Sequence, residues 1–313
     1  MWENNRPKSK YAIVLVGSNQ YLPGINGIIN ALDYYGNKID LHFIHDDILP
    51  KEYLEEIKKS DLDYRLVLEN FTELRDAMVK EWPHFSPRNN YHEHTWLRYW
   101  YLMQIKDDYE VTASLDADSI VFNNITPWFD FAAGTDYLLT AYHYFRPLDI
   151  EKYELKNILT GLPVFNHPLI CDPKKWADIF RIMFQRESEL HESDMRCLNR
   201  VLLLNDRLKK VFVLSDFEWI GGYVWTSELR KRELAGKQYL IGTPNYFRVN
   251  VLHGKWYGKG FRENQHKGAA PQNQDKMTNN LKLICEMYKM LNLNHKVKIS
   301  VMKNIHQDWD VCR

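Results

Sequence analysis

The chain has 313 residues, enough for one large domain or a domain with an appendage. Its 45% hydrophobic and 26% charged residues are those of an ordinary soluble globular protein, and 41 Lys+Arg balance 41 Asp+Glu. No apolar run approaches the roughly 18 residues of a membrane span. The opening MWENNRPKSK is polar and lacks the apolar stretch of a signal peptide. Cys171, Cys197, Cys285 and Cys312 are scattered without a CxxC pair, which predicts reduced thiols and a cytoplasmic location.

In chain order, YAIVLVGS (11–18) reads as a buried first strand, followed by a loop, NQYLPG. Ile25, Ile28, Ile29 and Leu32 then share one face of a helix, which Gly36 is placed to end. IDLHFIHDD predicts a second strand alternating outward to Asp46 and Asp47, KEYLEEIKKS a short helix and YRLVLEN a third strand. HEHTWLRYWYLMQI carries Trp96, Tyr99, Trp100 and Met103 at helical spacing and leads into VTASLDADSIVF (111–122), a strand expected to hold Asp116 and Asp118. Beyond Phe261 a polar loop, RENQHKGAAPQNQDKMTNN, precedes an amphipathic helix outlined by Leu281, Ile284, Tyr288 and Leu291.

Alternating strands and helices predict an α/β fold with a mixed, largely parallel sheet, whose ligands collect beyond the carboxyl ends of the strands. The expected organisation is one α/β unit over 1–263 and a loop and helical extension over 264–313. Charge is unevenly spread along it. From Trp225 onward 16 Lys+Arg face 7 Asp+Glu, a balance of +9 against −9 before it. A basic final third suits an anionic ligand such as a diphosphate or a polyanion.

The triplet Asp116-Ala117-Asp118 carries the chemistry. Two carboxylates on one face of a strand repel unless a cation, solvent or a proton relieves them. Two other Asp-x-Asp triplets occur, at Asp61–Asp63 and Asp308–Asp310, but only the middle one lies between apolar, strand-like residues. Strand-end carboxylates suit Mg²⁺ or Mn²⁺, hard cations that leave positions open for phosphate oxygens. Far downstream, NVLHGKWYGKGF (250–261) adds His253 and a Gly- and Lys-rich turn able to approach phosphate.

On these residues the chain resembles the metal-dependent GT-A glycosyltransferases, above all the family 8 group that includes glycogenin and bacterial lipooligosaccharide galactosyltransferases. VGSNQYLPGINGIINAL looks like that family's base-holding segment. The resemblance puts Gly17, Ser18 and Asn19 at the nucleotide, Tyr21 where an aromatic stacks on uracil, and Gly24 where a glycine follows. LDADSIV matches the metal triplet, with Ala117 between its acids, and Arg98 in TWLRYWYL matches a basic helix residue that approaches the donor. The family signature H-x-x-G-x-x-K-P-W is met in part: His253 and Lys259 match, Trp256 occupies the glycine position, Gly258 follows, and Gly260 replaces proline. ESDMRCLN places Asp194 on the family's acid, with Met195 where a glutamine is usual. Asn166, His167 and Pro168 stand where a small turn is usual, which implies a different acceptor pocket.

The resemblance implies that Asp116, Asp118 and His253 hold Mn²⁺ or Mg²⁺ on a nucleoside-diphosphate sugar, a UDP-sugar first, with Lys259 neutralising the leaving group. Asp194 is then the group that orients the acceptor hydroxyl or acts as a base, and the family's outcome is retention. The acceptor implied is a glycan or protein, or a modified nucleic acid such as viral DNA. A nucleotidyltransferase is the alternative enzyme, disfavoured because VGSNQYLPG lacks the Arg and Lys of its phosphate loop. A non-catalytic, nucleic-acid-binding relative of the fold is the other alternative.

Overall fold

The structure of the chain, a computed structural model, describes residues 1–83, 90–117, 119–135, 138–141, 166–171, 173–190, 211–214, 219–220, 228–243, 247–248, 251–252 and 271–298. Strand β1 (Trp2–Glu3) is followed by β2 (Tyr11–Gly17), whose seven residues are all buried. An unbroken apolar run of this kind suits a central strand covered on both faces. Helix α1 (Leu22–Tyr34), β3 (Asp40–His45), α2 (Lys51–Lys59) and β4 (Leu66–Asn70) continue with strands added in parallel on one side of β2. Helices α3 (Phe71–Glu81) and α4 (Asn90–Gln104) then lead to β5 (Val111–Leu115), which returns to the other side of β2.

After β5 come β6 (Ile120–Val121), α5 (Thr126–Ala133), β7 (Leu138–Ala141), β8 (Asn166–Cys171), α6 (Pro173–Leu190) and β9 (Val211–Leu214). Among the described residues eight strands form one sheet in the order β1-β4-β3-β2-β5-β8-β7-β9. Strands β4, β3, β2 and β5 are parallel, β8 runs antiparallel between β5 and β7, and β9 is parallel to β7. The predicted mixed, largely parallel α/β sheet is the one observed.

Alternation along each strand divides the core in two. Ile13 and Leu15 of β2, Leu41 and Phe43 of β3 and Ala113 and Leu115 of β5 face one side, where α1 packs. Ala12, Val14, Val16 and Ile44 face the other, covered by Trp96, Tyr99 and Trp100 of α4 and by Trp176, Phe180 and Phe184 of α6.

Three local expectations change, and one helix was not anticipated. The first strand-loop is shorter than expected: residues 19–21 form a 3₁₀ turn and Leu22, Pro23 and Gly24 already belong to α1. Proline supports this start because its missing N–H would be unpaired there anyway. Helix α3 gives little sequence signal, since only Phe71 and Met78 of its residues are buried. The polar stretch expected to be loop is helical from Pro271, in the long helix α7 (Pro271–Asn294). Finally, Cys285 of α7 is disulfide-bonded, which corrects the expectation of four reduced thiols. Spacing along the chain carries no information about which cysteines the fold brings near.

Strands β10 (Trp219–Ile220), β11 (Glu228–Leu234), β12 (Lys237–Thr243), β13 (Phe247–Arg248) and β14 (Val251–Leu252) complete the described strands. The β11–β12 hairpin turns through Ala235 and Gly236, both left-handed, with φ of 50° and 74°. Two positive φ values match the two-residue turn that fits strand twist, and Asn-Gly is its preferred pair. Ala235 therefore sits in a conformation its Cβ disfavours. Ala235→Asn is expected to raise stability by about 0.5–1 kcal/mol, read as a higher urea midpoint with unchanged activity.

Helix α7 packs along α1, burying Ile284, Met287, Tyr288 and Leu291 in the same cluster as Ile25, Ile28 and Ile29. Just after α7, His295 and Lys296 reach Asp33 at 2.7 and 3.1 Å, and Lys296 also meets Asp63 at 3.0 Å. Burial pushes the Asp33 carboxyl up, but hydrogen bonds from His295, the Asp63 amide and Lys296 outweigh it, so Asp33 titrates below the ordinary aspartate value of 3.8. A depressed carboxyl stabilises the fold above its unfolded value, and the contribution is lost as pH falls through the folded value. The stability gap between wild type and Asp33→Asn is thus expected to be constant from pH 5 to 7 and to shrink below about pH 4. Denaturation midpoints at several pH values measure it.

Candidate donor site at the carboxyl edge of the sheet

The chain passes from β2 to β3 and β4 on one side and returns to β5 on the other, so β2 and β5 flank a topological switch point. In open α/β sheets such a point opens a crevice beyond the carboxyl ends of the strands. β2 ends there at Gly17 and β5 at Leu115, with Leu15 and Leu115 in register. Gly17 packs closely: a Cβ at that position would lie 2.4 Å from Ile25 Cδ1, forcing that side chain to shift, and 3.4 Å from Ala117 Cβ. The loop after β2 and the Asp-Ala-Asp segment are therefore in contact, as a single site needs.

Strand β5 stops at Leu115, so Asp116 is not a strand residue as expected. It opens a turn in which the Ser119 amide donates to the Asp116 carbonyl at 2.9 Å. The turn, rather than strand alternation, sets how the triplet is presented. Arg98 Nη1 donates to Asp116 Oδ1, joining the two residues that sequence reading placed at the donor. The guanidinium is deeply buried, with 7% of its side chain exposed, whereas 20% of the Asp116 side chain is exposed. A buried guanidinium on a carboxylate fixes that carboxylate's orientation as well as its charge.

Strand β6 begins just after the triplet and pairs antiparallel with β14, Ile120 opposite Leu252 and Val121 opposite Val251. β14 also pairs in parallel with β10. The chain that leads into His253 thus lies one strand spacing from the chain that leaves the aspartate triplet. Asp118, Asp194, His253, Gly258 and Lys259 themselves lie outside the described residues. Among the described residues no group of three His, Cys, Asp or Glu is arranged to hold a metal ion. Asp116 is the described member of the expected ligand set, and its carboxylate oxygens are the hard donors that Mg²⁺ and Mn²⁺ prefer.

Ser18, Asn19 and Tyr21 sit at the β2 end, half-buried, with Tyr21 packed on the core beside α1. Asn19 Oδ1 is buried and has no hydrogen-bond partner. A buried acceptor without a donor is costly in a folded protein unless a ligand supplies one.

Two further edge residues were given no site role by sequence reading. Asp46, directly after β3, was expected to point outward; it is buried, and its Oδ1 lacks a hydrogen-bond partner. Burial pushes its carboxyl up, opposed by the nearby His94 and His45 and by the Ile48 amide. His94 lies one helical turn before Arg98 on α4 and stacks on Phe71 with ring centroids 4.2 Å apart. The signal available was the i, i+4 spacing of His94 and Arg98, which puts both on one helix face.

No protein-family model matches the sequence, and no curated protein sequence matches it. Solved structures do. The WbbM bifunctional glycosyltransferase in its apo form superimposes with a TM-score of 0.56 at 13% identity, over 88% of this chain and 52% of that one. GlyE of Streptococcus pneumoniae TIGR4 matches at 20% identity and a TM-score of 0.44, over 67% of this chain and 46% of that one. The galactosyltransferase LgtC, in complex with donor and acceptor sugar analogs, matches at 16% identity and 0.49, over 85% and 99%. The chain spans about half the length of the GlyE structures, 46% and 48%. With such identities the likeness is one of fold: the chain has the α/β fold of the GT-A glycosyltransferases.

Proposed function

We propose that the chain is a metal-dependent glycosyltransferase that moves a sugar from a nucleoside-diphosphate donor, a UDP-sugar first, to an acceptor hydroxyl with retention. The observation that carries this reading is the convergence at one crevice of the Gly17 loop, the Arg98–Asp116 pair and the β6–β14 pairing. Asp116, Asp118 and His253 would hold Mn²⁺ or Mg²⁺. When bound, that cation neutralises the diphosphate as it leaves.

The protein's own groups divide the remaining work. Tyr21 offers a ring for the base, and the unpartnered Asn19 Oδ1 an acceptor for an N–H of the base. Arg98 fixes Asp116 and adds positive charge beside the phosphates, and Lys259 places an ammonium on the leaving group. Asp194 orients the acceptor hydroxyl. The acceptor belongs to a glycan or protein, or to a modified nucleic acid; the basic residues after Trp225 suit the last.

Calorimetric titration with UDP, with and without Mn²⁺, on wild type and on Asp118→Ala tests the reading. Metal-dependent binding lost in the variant supports it. If UDP, GDP, CDP and ADP all fail to bind with either metal, the enzyme reading falls and a non-catalytic relative of the fold takes its place.

A further inference from the structure

Beneath α4, away from the crevice, five buried side chains form one line of hydrogen bonds. Glu69 Oε1 meets the Tyr101 hydroxyl at 3.0 Å, and that hydroxyl meets His42 Nδ1 at 2.9 Å. His42 Nε2 meets the Tyr109 hydroxyl at 2.8 Å, and that hydroxyl meets Asp40 Oδ2 at 2.9 Å. His42, Asp40 and Glu69 are 5%, 1% and 8% exposed, and all four contacts are direct, so no water lies between the partners.

Each of the four contacts needs one hydrogen between its two heavy atoms. A neutral imidazole brings one and each phenol brings one, which makes three. Two ionised carboxylates bring none. Arg65 Nη1 donates to the Tyr109 hydroxyl at 2.9 Å and to Asp40 at 3.2 Å, but those hydrogens occupy other lone pairs. The Ser9 amide on Asp40 Oδ1, at 2.9 Å, is also separate from the line. With three hydrogens one buried contact would set lone pair against lone pair.

We infer that this line of five side chains is a proton-binding site, holding one proton more than a neutral histidine, two tyrosines and two carboxylates supply. The charged groups around it are Arg65 just before β4, which is paired in turn with Glu3 on β1, Lys8 before β2 and Asp108 after α4. Burial, with Arg65 and Lys8, pushes His42 down to about 3, and burial pushes Asp40 up against its hydrogen bonds. The extra proton therefore resides towards the Asp40 end of the line. The line joins β3, β4 and the segment after α4 to Tyr101, three residues beyond Arg98 on the same helix. It thus makes the seat of α4, which carries Arg98 to the donor crevice, proton-dependent.

The sign follows from linkage. Above about pH 7 the unfolded chain leaves Asp, Glu and His deprotonated, while the folded line keeps its extra proton. Stability from the line is present at neutral pH and is lost as pH rises through the release point, the folding equilibrium constant falling about tenfold per pH unit for one proton. Glu69→Gln tests this, because the amide brings its own N–H to the fourth contact. The ratio of wild-type to Glu69→Gln folding constants, from denaturant titrations between pH 6.5 and 9, is expected to fall about tenfold per pH unit across the wild type's window of proton uptake. Parallel pH profiles would overturn the inference.

Tyr109→Phe separates the line from a lone buried acid. It removes two contacts and leaves the imidazole N–H for Tyr101, so the need for the extra proton disappears and the slope should vanish there too. A slope that persists in Tyr109→Phe but not in Glu69→Gln would assign the proton to Glu69 alone and sink the shared site. If Tyr109→Phe does not fold, potentiometric proton uptake on refolding at pH 7.5 decides: wild type should exceed Glu69→Gln by about one proton, and equality overturns the site.

Discussion

Asp116→Asn is expected to lower metal-dependent affinity for UDP at least about tenfold and donor turnover roughly a hundred- to a thousandfold. The substitution keeps the size of the side chain and one carbonyl oxygen, so the turn that Ser119 closes on the Asp116 carbonyl is untouched. It removes the negative charge, which serves both the proposed cation and the buried Arg98. Removing one carboxylate charge beside Arg98, whose side chain is 7% exposed, also destabilises the fold, on the order of 1–2 kcal/mol. Stability and donor binding therefore have to be read separately, by denaturant titration and by calorimetry. Arg98→Lys provides the contrast: it retains a positive charge but not the planar guanidinium, so it is expected to lower turnover about tenfold while preserving metal-dependent binding. Unchanged UDP affinity in a folded Asp116→Asn would move the cation away from the triplet.

The legible parts of this chain are those where one physical signal dominates. The run YAIVLVG has no solvent-facing alternative and forms the central strand, and the apolar face of Ile25, Ile28, Ile29 and Leu32 allows only a packed helix. Gly36 ends that helix with a φ of 67°, as its position implies. Strand β3 was harder. Its alternation of Leu41, Phe43 with Asp40, His42 reads as a strand with one wet face, yet α4 covers that face and the polar residues satisfy one another. Sequence periodicity reports polarity, and it does not distinguish a solvated face from a buried face with internal partners. The insertion of β8 antiparallel between β5 and β7, and the pairing of β6 with β14, join segments far apart in the chain, for which a single sequence has no local signal.

The site divides in the same way. Asp116, Arg98 and the Gly17 loop stand out in the sequence because their residue types and spacing carry chemistry, and the fold brings Arg98 to Asp116 and Gly17 near Ala117. Asp46 and His94 were passed over because neither lies in a motif; their significance comes from burial and from a neighbouring strand end.

Asn30→Ala is expected to destabilise the protein by about 2–3 kcal/mol. The Asn30 amide holds the Val297 peptide at both ends, donating to its carbonyl at 2.7 Å and accepting from its N–H at 3.0 Å. Asn26 adds a second donor to the same carbonyl at 3.1 Å and binds Asn292 at 2.7 Å. Val297 is fully buried, so removing Asn30 leaves a peptide N–H with no partner and no water. That is the costly kind of deletion, in which the remaining group keeps its desolvation penalty. Asn30→Asp sharpens the test. It retains an acceptor for the Val297 N–H but sets a carboxylate oxygen against the Val297 carbonyl, so it should destabilise at least as much as alanine. A two-handed amide predicts this order; an acceptor alone would predict that aspartate rescues. Calorimetric melting of both variants reads the difference, and a loss under about 0.5 kcal/mol for each would mean that the segment after α7 does not hold α1 in solution. Because α7 buries Ile284, Tyr288 and Leu291 against the helix that starts at the proposed donor loop, loss of this tie should also raise the KM for the proposed donor while the residues at the sheet edge stay intact.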